Sequence, residues 1–195
     1  MSKIKFKPIV RRLLSEEQIQ ELKEIDAPWV PSHSAKGSTE DTYVDMVQNQ
    51  TEYDNVFVDG QAFRLSMNKV ITTAMIDDIN YEFDHAWADA GLKVVDTNYL
   101  RYVEGDWLGP HNDASQYVDK YGEHLDRQVT AVTMIDKSDD LRGGTLCVYQ
   151  KGLRMEFDLE IGETVFFPAE DLHECTKIRR GYISRGRCRK KSYRR

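Results

Sequence analysis

The second half of the chain alternates short β-prone segments with turns that contain glycine or proline, and this pattern constrains the fold more than any other feature. The segments are rich in β-branched and aromatic residues, which favour strands, and the glycines and prolines between them favour turns. Short strands at nearly even spacing predict a β-barrel or a β-sandwich. We predict strands at residues 94–103, 128–135, 145–149, 154–159 and 164–168.

Three residues in this half have the side chains of a metal site. His111 and Asp113 follow a turn predicted at Gly109-Pro110, and His173 lies far downstream. Side chains at positions i and i+2 of a strand project from the same face, so His111 and Asp113 are expected to bind one ion together. Two imidazoles and one carboxylate form the ligand set of non-haem Fe(II) oxygenases, which leaves other coordination positions open. Taken alone, a histidine near an aspartate is more simply a pair of surface residues.

The surroundings of these three residues resemble a known family. Tyr102-x-x-Gly105 precedes His111-x-Asp113, Gly143-Gly144-Thr145-Leu146 follows it, and Gly162-Glu163-Thr164-Val165-Phe166-Phe167-Pro168 precedes His173-Glu174. In order and spacing, these motifs resemble the prolyl 4-hydroxylase-like branch of the Fe(II)/2-oxoglutarate-dependent oxygenases. The resemblance implies a double-stranded β-helix (jelly-roll) core that holds Fe(II) at its open end.

The resemblance also implies the chemistry. We expect an Fe(II)/2-oxoglutarate-dependent dioxygenase with Fe(II), 2-oxoglutarate and O2 as cofactors, ascorbate as a supporting reductant, and succinate and CO2 as products. His111, Asp113 and His173 are the expected metal ligands and catalytic residues. The expected substrate is a prolyl or other residue of a protein or peptide. The alternatives are a free amino acid, another small molecule or a nucleobase as the substrate, or a non-catalytic jelly-roll binding module.

The residue that binds the distal carboxylate of 2-oxoglutarate is where this chain departs from the family. Family members carry a basic residue at the start of the strand after the distal histidine, and an arginine can grip both carboxylate oxygens. Ile183 occupies that position here, so we expect Arg185, or failing that Arg187, to bind the co-substrate. The missing basic residue is also what keeps the binding-module alternative open.

A second departure concerns the hydroxyl groups around the co-substrate. Tyr102 matches a family tyrosine that lies near 2-oxoglutarate, and an ordinary barrel tyrosine is the alternative. Leu108 replaces a second tyrosine that many members carry. Thr130 or Thr145 could supply the hydroxyl instead, and the sequence does not choose between them.

The N-terminal half is expected to support the barrel. Ser15 is predicted to cap a helix over Glu16–Lys23, with Gln18 completing a capping box, and a second helix is predicted over about Met67–Ala90. Residues 28–55 between them form a candidate substrate lid or a mobile surface loop. We therefore predict a mostly β (α+β) single domain over residues 1–195, with helical support in about 1–92 and the jelly-roll core in about 93–195.

Charge and cysteine content limit the partners. The chain has a formal net charge of −6, yet residues 177–195 contain only basic charged residues. Basic tails can bind nucleic acid, but no nucleic-acid-binding motif accompanies this one, so we do not expect a nucleic-acid substrate. No apolar run could span a bilayer and no signal peptide is recognised. The scattered, odd-numbered Cys147, Cys175 and Cys188 predict reduced thiols in a cytoplasmic protein. The oligomeric state stays open.

Overall fold

The structure is a computed structural model that describes residues 5–26, 29–31, 56–58, 61–63, 67–69, 92–114, 116–118 and 124–192, and within them the side chains of 5–26, 99–114 and 127–186. Strands dominate this part of the chain. In chain order its elements are β1 Ile9–Arg12, α1 Glu16–Glu24, β2 Trp29–Pro31, β3 Val56–Val58, β4 Gln61–Phe63, β5 Met67–Lys69, β6 Leu92–Val103, β7 Leu108–His111, β8 Gln116–Val118, β9 His124–Lys137, β10 Leu146–Gln150, β11 Leu153–Phe157, β12 Glu163–Pro168, β13 Leu172–Cys175 and β14 Tyr182–Ser192.

Two antiparallel sheets form the body of the fold. The major sheet has the order β1-β12-β9-β14-β6-β5-β2, with β8 paired to β9, and the minor sheet has the order β11-β10-β13-β7. Residues of both sheets share one buried apolar core, which contains Leu100, Val132 and Phe167 of the major sheet and Leu146 and Val148 of the minor sheet. Two antiparallel sheets that pack on a common core match the double-sheet architecture of a jelly roll, so the predicted mostly β fold class is confirmed.

A second core lies on the outer face of the major sheet. Successive strand residues point to opposite faces, so Phe166 packs outward against α1 while Phe167 packs inward. The helix contributes Ile19 and Leu22 to the outer core. Its predicted N-cap is confirmed, because the Ser15 hydroxyl accepts a hydrogen bond from the Gln18 amide (3.1 Å) and the Gln18 side chain accepts one from the Ser15 amide (2.9 Å). The helix supports the barrel from outside.

The five predicted strands are confirmed, with ends that differ by a few residues. The predicted start of the second helix, at Met67, is wrong. Met67–Lys69 form strand β5, which pairs with β6. Backbone pairing with a neighbouring strand has prevailed there over the helical spacing of apolar residues. The rest of the predicted helix, 70–90, lies outside the described residues.

The first part of the chain also contributes strands, beyond the helical support that we expected. β1 pairs with β12, and β2 pairs with β5 at the edge of the major sheet. β2 is the described part of the candidate lid, of which residues 28 and 32–55 lie outside the described residues. No helix in the described ranges is long and apolar enough to cross a membrane.

Candidate metal centre

His111 and His173 are brought together by two neighbouring strands of the minor sheet. They are directly paired in the ladder between β7 and β13, and their ring centroids lie 4.2 Å apart. Across the barrel, the ring of Phe167 lies 4.8 Å from that of His173. His173 is buried and His111 is half-buried. The site therefore lies between the two sheets and is walled by an aromatic ring.

The strand that carries His111 differs from the expectation. Gly109-Pro110 was predicted as a turn, but both residues lie within β7. Proline lacks the amide hydrogen that a central strand must donate, so it is tolerated at the edge of a sheet. Because β7 is the last strand of the minor sheet, Pro110 fits there.

Backbone carbonyls determine which nitrogen of each ring is available to a metal. Nδ1 of His111 donates a hydrogen bond to the Gly109 carbonyl oxygen (2.8 Å), and Nδ1 of His173 donates one to the Asp171 carbonyl oxygen (3.2 Å). A carbonyl oxygen can only accept, so each neutral ring carries its proton on Nδ1 and a lone pair on Nε2. Metal-binding histidines in proteins are oriented by the same kind of contact.

Asp113 reaches the site by a different route from the one that we predicted. The expectation that it shares a strand face with His111 is wrong, because β7 ends at His111. Instead, the Asp113 amide donates to the Ala169 carbonyl oxygen (2.9 Å), and the Thr130 hydroxyl donates to Asp113 Oδ2 (2.9 Å). Oδ2 lies 3.6 Å from His173 Nε2, so the buried carboxylate still faces the imidazoles.

These three side chains fit a catalytic divalent metal ion. One ligand atom from each of His111, Asp113 and His173 lies within 4.8 Å of the others, and this cluster has three members within the described ranges. Imidazole and carboxylate donors together suit Fe(II) and similar ions, and three protein ligands leave positions open for small molecules. A structural zinc site would use a closed set of four ligands.

Arg185 lies inside the barrel, where it has no acidic partner among the described residues. Its backbone pairs with Leu100 of β6 and Met134 of β9, which are both inner-core residues, and the side chain is 4% exposed. Its Nη2 donates to the Gly144 carbonyl oxygen (2.6 Å), whereas its buried Nε has no hydrogen-bond partner in the described part of the structure. None of the described salt bridges involves Arg185.

The thiol of Cys175 interacts with Arg185, but it does not balance the charge of the guanidinium. Burial raises the pKa of the Cys175 thiol, and the Arg185 guanidinium only partly opposes this shift. Cys175 therefore stays neutral at physiological pH. An uncompensated guanidinium inside a protein is costly, so the position is suited to an anion from outside the chain.

Two other candidates for co-substrate binding lie on the same pair of strands. Tyr102 of β6 is buried in the inner core and pairs with Ile183, one alternation along from Arg185. Arg187 is in β14 and pairs with Asn98 and Val132, and its side chain lies outside the described part. The roles of these residues stay predictions.

The contact between Thr130 and Asp113 is the functional feature that sequence reasoning missed. The sequence offers Thr130 only as a candidate hydroxyl donor to the co-substrate. Its place on the inward face of β9, alternating with Val132 and Met134, is the signal that it points into the site. The amide of Thr145, the other candidate, donates to the Thr176 hydroxyl (2.9 Å).

Comparison with known proteins agrees with the geometry. Residues 97–191 match the model of the 2OG-Fe(II) oxygenase superfamily, whose name specifies Fe(II) and 2-oxoglutarate. A PKHD-type hydroxylase of Nitrobacter winogradskyi is 29% identical over 91 residues, which are 46% of this chain and 40% of that protein. The chain thus matches less than half the length of this curated relative.

Solved structures of prolyl hydroxylases share the fold. The viral collagen prolyl hydroxylase of Paramecium Bursaria Chlorella virus-1 has a TM-score of 0.59 and 14% identity, with 96% of each chain covered. A prolyl hydroxylase from Trichoplax adhaerens, in complex with a hypoxia inducible factor peptide fragment, has a TM-score of 0.61 and 13% identity, covering 93% of this chain and 82% of that one. The matched family region contains all three residues of the metal cluster.

Proposed function

We propose that this chain is an Fe(II)- and 2-oxoglutarate-dependent dioxygenase. Its residues 97–191 match the model of the 2OG-Fe(II) oxygenase superfamily, and its motifs resemble the prolyl 4-hydroxylase-like branch of that superfamily. It hydroxylates a C–H bond of a prolyl or other residue in a protein or peptide and releases succinate and CO2. The observation that carries the proposal is the convergence of His111, Asp113 and His173 within 4.8 Å inside the barrel.

The protein's own part in this reaction is to hold the ion and exclude water. His111 and His173 would bind Fe(II) through Nε2, because Nδ1 of each ring is held by a carbonyl oxygen. Asp113 would supply the negative charge. Bound Fe(II), together with 2-oxoglutarate and O2, supplies the oxidising chemistry that amino-acid side chains lack. Phe167 shields one side of the site by packing against His173.

Arg185 supports the proposal that the co-substrate is a dicarboxylate. The guanidinium is buried without an acidic partner in the described part of the chain, and the Gly144 carbonyl oxygen holds its Nη2. The distal carboxylate of 2-oxoglutarate would supply the missing negative charge through charge-assisted hydrogen bonds. An inward-facing arginine weakens the argument for a non-catalytic module, which depended on Ile183 replacing the basic residue.

The substrate class rests on the relatives. The matched curated protein is described as a PKHD-type hydroxylase, and the Trichoplax structure holds a peptide. We therefore infer that the substrate is a prolyl or other residue in a protein or peptide, presented at the open end of the barrel beside His111.

A two-stage experiment tests the function. Purified protein is incubated with Fe(II), 2-oxoglutarate and ascorbate, and succinate is measured with His111→Ala as the metal-free control. Libraries of peptides, amino acids and oligonucleotides are then screened for a mass gain of about 16 Da, the mass of the single oxygen atom that a hydroxylation adds. We expect wild type, but not His111→Ala, to form succinate, and we expect the mass gain to be found on peptides. Folded, metal-loaded wild type that forms no succinate with any library would refute the proposal, and a gain confined to another library would refute the substrate class.

A further inference from the structure

We infer that Thr130 is a positioning residue, which sets the orientation of the Asp113 carboxylate towards the bound metal. The inference rests on the proposed function, since it concerns the same metal site. β7 ends at His111, so the pleat of a strand does not direct Asp113.

Contacts to Ala169 and Thr130 hold Asp113 in the part of the chain that the structure describes, where the ladder does not. The Ala169 carbonyl oxygen accepts a hydrogen bond from its backbone amide, and this places the main chain. The Thr130 hydroxyl donates to Oδ2 at 2.9 Å, and this restricts the rotation of the carboxylate plane about the side-chain bond. Oδ2 is also the oxygen that lies 3.6 Å from His173 Nε2. The hydroxyl therefore holds the carboxylate edge that faces the second ligand.

Thr130 is itself rigidly placed. It is fully buried, and β9 pairs with β12 on one side and with β14 on the other. Its direct partner in β12 is Phe167, the residue whose ring packs against His173. Adjacent residues of two central strands thus support two different ligands, Thr130 by a hydrogen bond and Phe167 by ring contact.

The chemistry needs this support. A carboxylate that rotates freely can bind an ion through one oxygen or two, whereas a fixed one leaves the same positions open in every molecule. Residues that hydrogen-bond to metal ligands typically change metal affinity by about 10- to 100-fold when they are replaced. Serine can donate the same hydrogen bond as threonine, whereas valine and alanine cannot.

The chain offers a matched control on the same strand. Thr133 is also fully buried in β9, but its hydroxyl shares a 2.7 Å hydrogen bond with Thr164. Thr133→Val therefore removes one buried hydroxyl, as Thr130→Val does, without touching a metal ligand. Equal losses of thermal stability in the two variants would represent the structural cost alone.

The test is a titration of the metal-free protein with Co(II), a redox-stable substitute for Fe(II), followed by absorbance and calorimetry. We expect Thr130→Val to weaken Co(II) binding by about 10- to 100-fold, Thr130→Ser to restore it, and Thr133→Val to bind as wild type does. If Thr130→Val does not fold, Thr130→Ser and Thr130→Ala replace it, since these two differ only by the hydroxyl.

Three outcomes would overturn the inference. Wild-type affinity in Thr130→Val, or in Thr130→Ala where that replaces it, would show that the hydroxyl does not position Asp113. An equal loss of Co(II) affinity in Thr133→Val would show that the weaker binding comes from general destabilisation. Wild-type protein that binds no Co(II) would refute the proposed metal site as well, so the two failures are distinguishable.

Discussion

Replacement of Arg185 tests the co-substrate site most directly, because the structure predicts opposite effects on the empty and the loaded protein. The guanidinium is buried and has no acidic partner among the described residues. Replacement of buried ionic groups by apolar side chains of similar volume is often neutral or stabilising when no opposite charge is left behind. We therefore expect Arg185→Met to leave the thermal stability of the co-substrate-free protein unchanged or raised, although the Gly144 carbonyl oxygen loses its donor.

The loaded protein should respond in the other direction. A hydrogen bond to a charged group contributes about 1.5–3 kcal/mol, which corresponds to a rise of roughly 10- to 150-fold in the Kd for 2-oxoglutarate. At a concentration of about 100 times the wild-type Kd, the ligand stabilises wild type by about 2.7 kcal/mol. A 100-fold weaker variant would gain only about 0.4 kcal/mol at that concentration. For a chain of this length, the shift in Tm on ligand binding would fall from about 5–11 °C to about 1 °C.

The assay is thermal unfolding with Mn(II), with and without 2-oxoglutarate, alongside the KM for 2-oxoglutarate. Arg185→Lys should recover part of the loss, because an ammonium lacks the planar fork of a guanidinium. The control is Arg180→Ala, which removes an exposed arginine paired with Asp140 and should change neither quantity. An unchanged ligand-induced shift in Arg185→Met would refute the assignment, and a loss in Arg187→Ala instead would move the anchor one alternation along β14.

His111→Ala should abolish turnover and most Fe(II) affinity while far-UV circular dichroism stays that of wild type, and retained iron binding in a metal titration would contradict the ligand assignment. Gly144→Ala should unfold at lower temperature, because its Cβ would lie 2.3 Å from Ile178 Cδ1 at φ +69°. The same variant should raise the KM for 2-oxoglutarate, because the Gly144 carbonyl oxygen holds Arg185. Gly152→Ala is the control, with φ +77° and open space around it, and should cost only the left-handed backbone strain of about 1–2 kcal/mol. Burial raises the pKa of Cys147 from 9.0 to about 11, so the folded state favours the neutral thiol. The contribution of this neutral thiol to the free energy of unfolding should be complete below about pH 9 and lost as the pH rises towards 11. Thermal unfolding over that pH range checks this, because the Tm of Cys147→Val should fall less steeply than that of wild type.

Local sequence patterns predicted the structure correctly where it depends on residues that are close together in the chain. The Ser15 capping box involves residues three positions apart, and both of its hydrogen bonds are present. The strand at 164–168 was predicted from its composition and forms β12, with Phe166 and Phe167 facing opposite cores. The three residues of the candidate metal cluster, His111, Asp113 and His173, could be named in advance because the motifs around them resemble a known family in order and spacing.

Long-range pairing decided what these patterns could not. Met67–Lys69 comes directly before the apolar residues whose helical spacing predicted the second helix, but it completes a strand ladder with β6. Pro110 reads as a turn residue but lies in a strand, since β7 is at the edge of its sheet. Met67–Lys69 gains backbone hydrogen bonds from a strand that is distant in sequence. Pro110 lies at a sheet edge, where the missing amide hydrogen of proline is tolerated. In both cases the pairing of distant strands outweighs local propensity.

The sequence by itself determined a β-barrel or β-sandwich, the capped supporting helix and the residue types of the candidate metal cluster, because alternation, capping and ligand chemistry are properties of short segments. The jelly roll followed from the resemblance of longer motifs to a known family. Only the tertiary structure decided how those side chains are held. Arg185 faces inward because β14 lies between β6 and β9 with its alternate residues opposite Leu100 and Met134. Asp113 faces the imidazoles because Thr130, on a strand of the other sheet, donates to its carboxylate. Register and side-chain contacts between distant strands arise from the packing of two sheets on one core, and no local stretch of sequence encodes that packing.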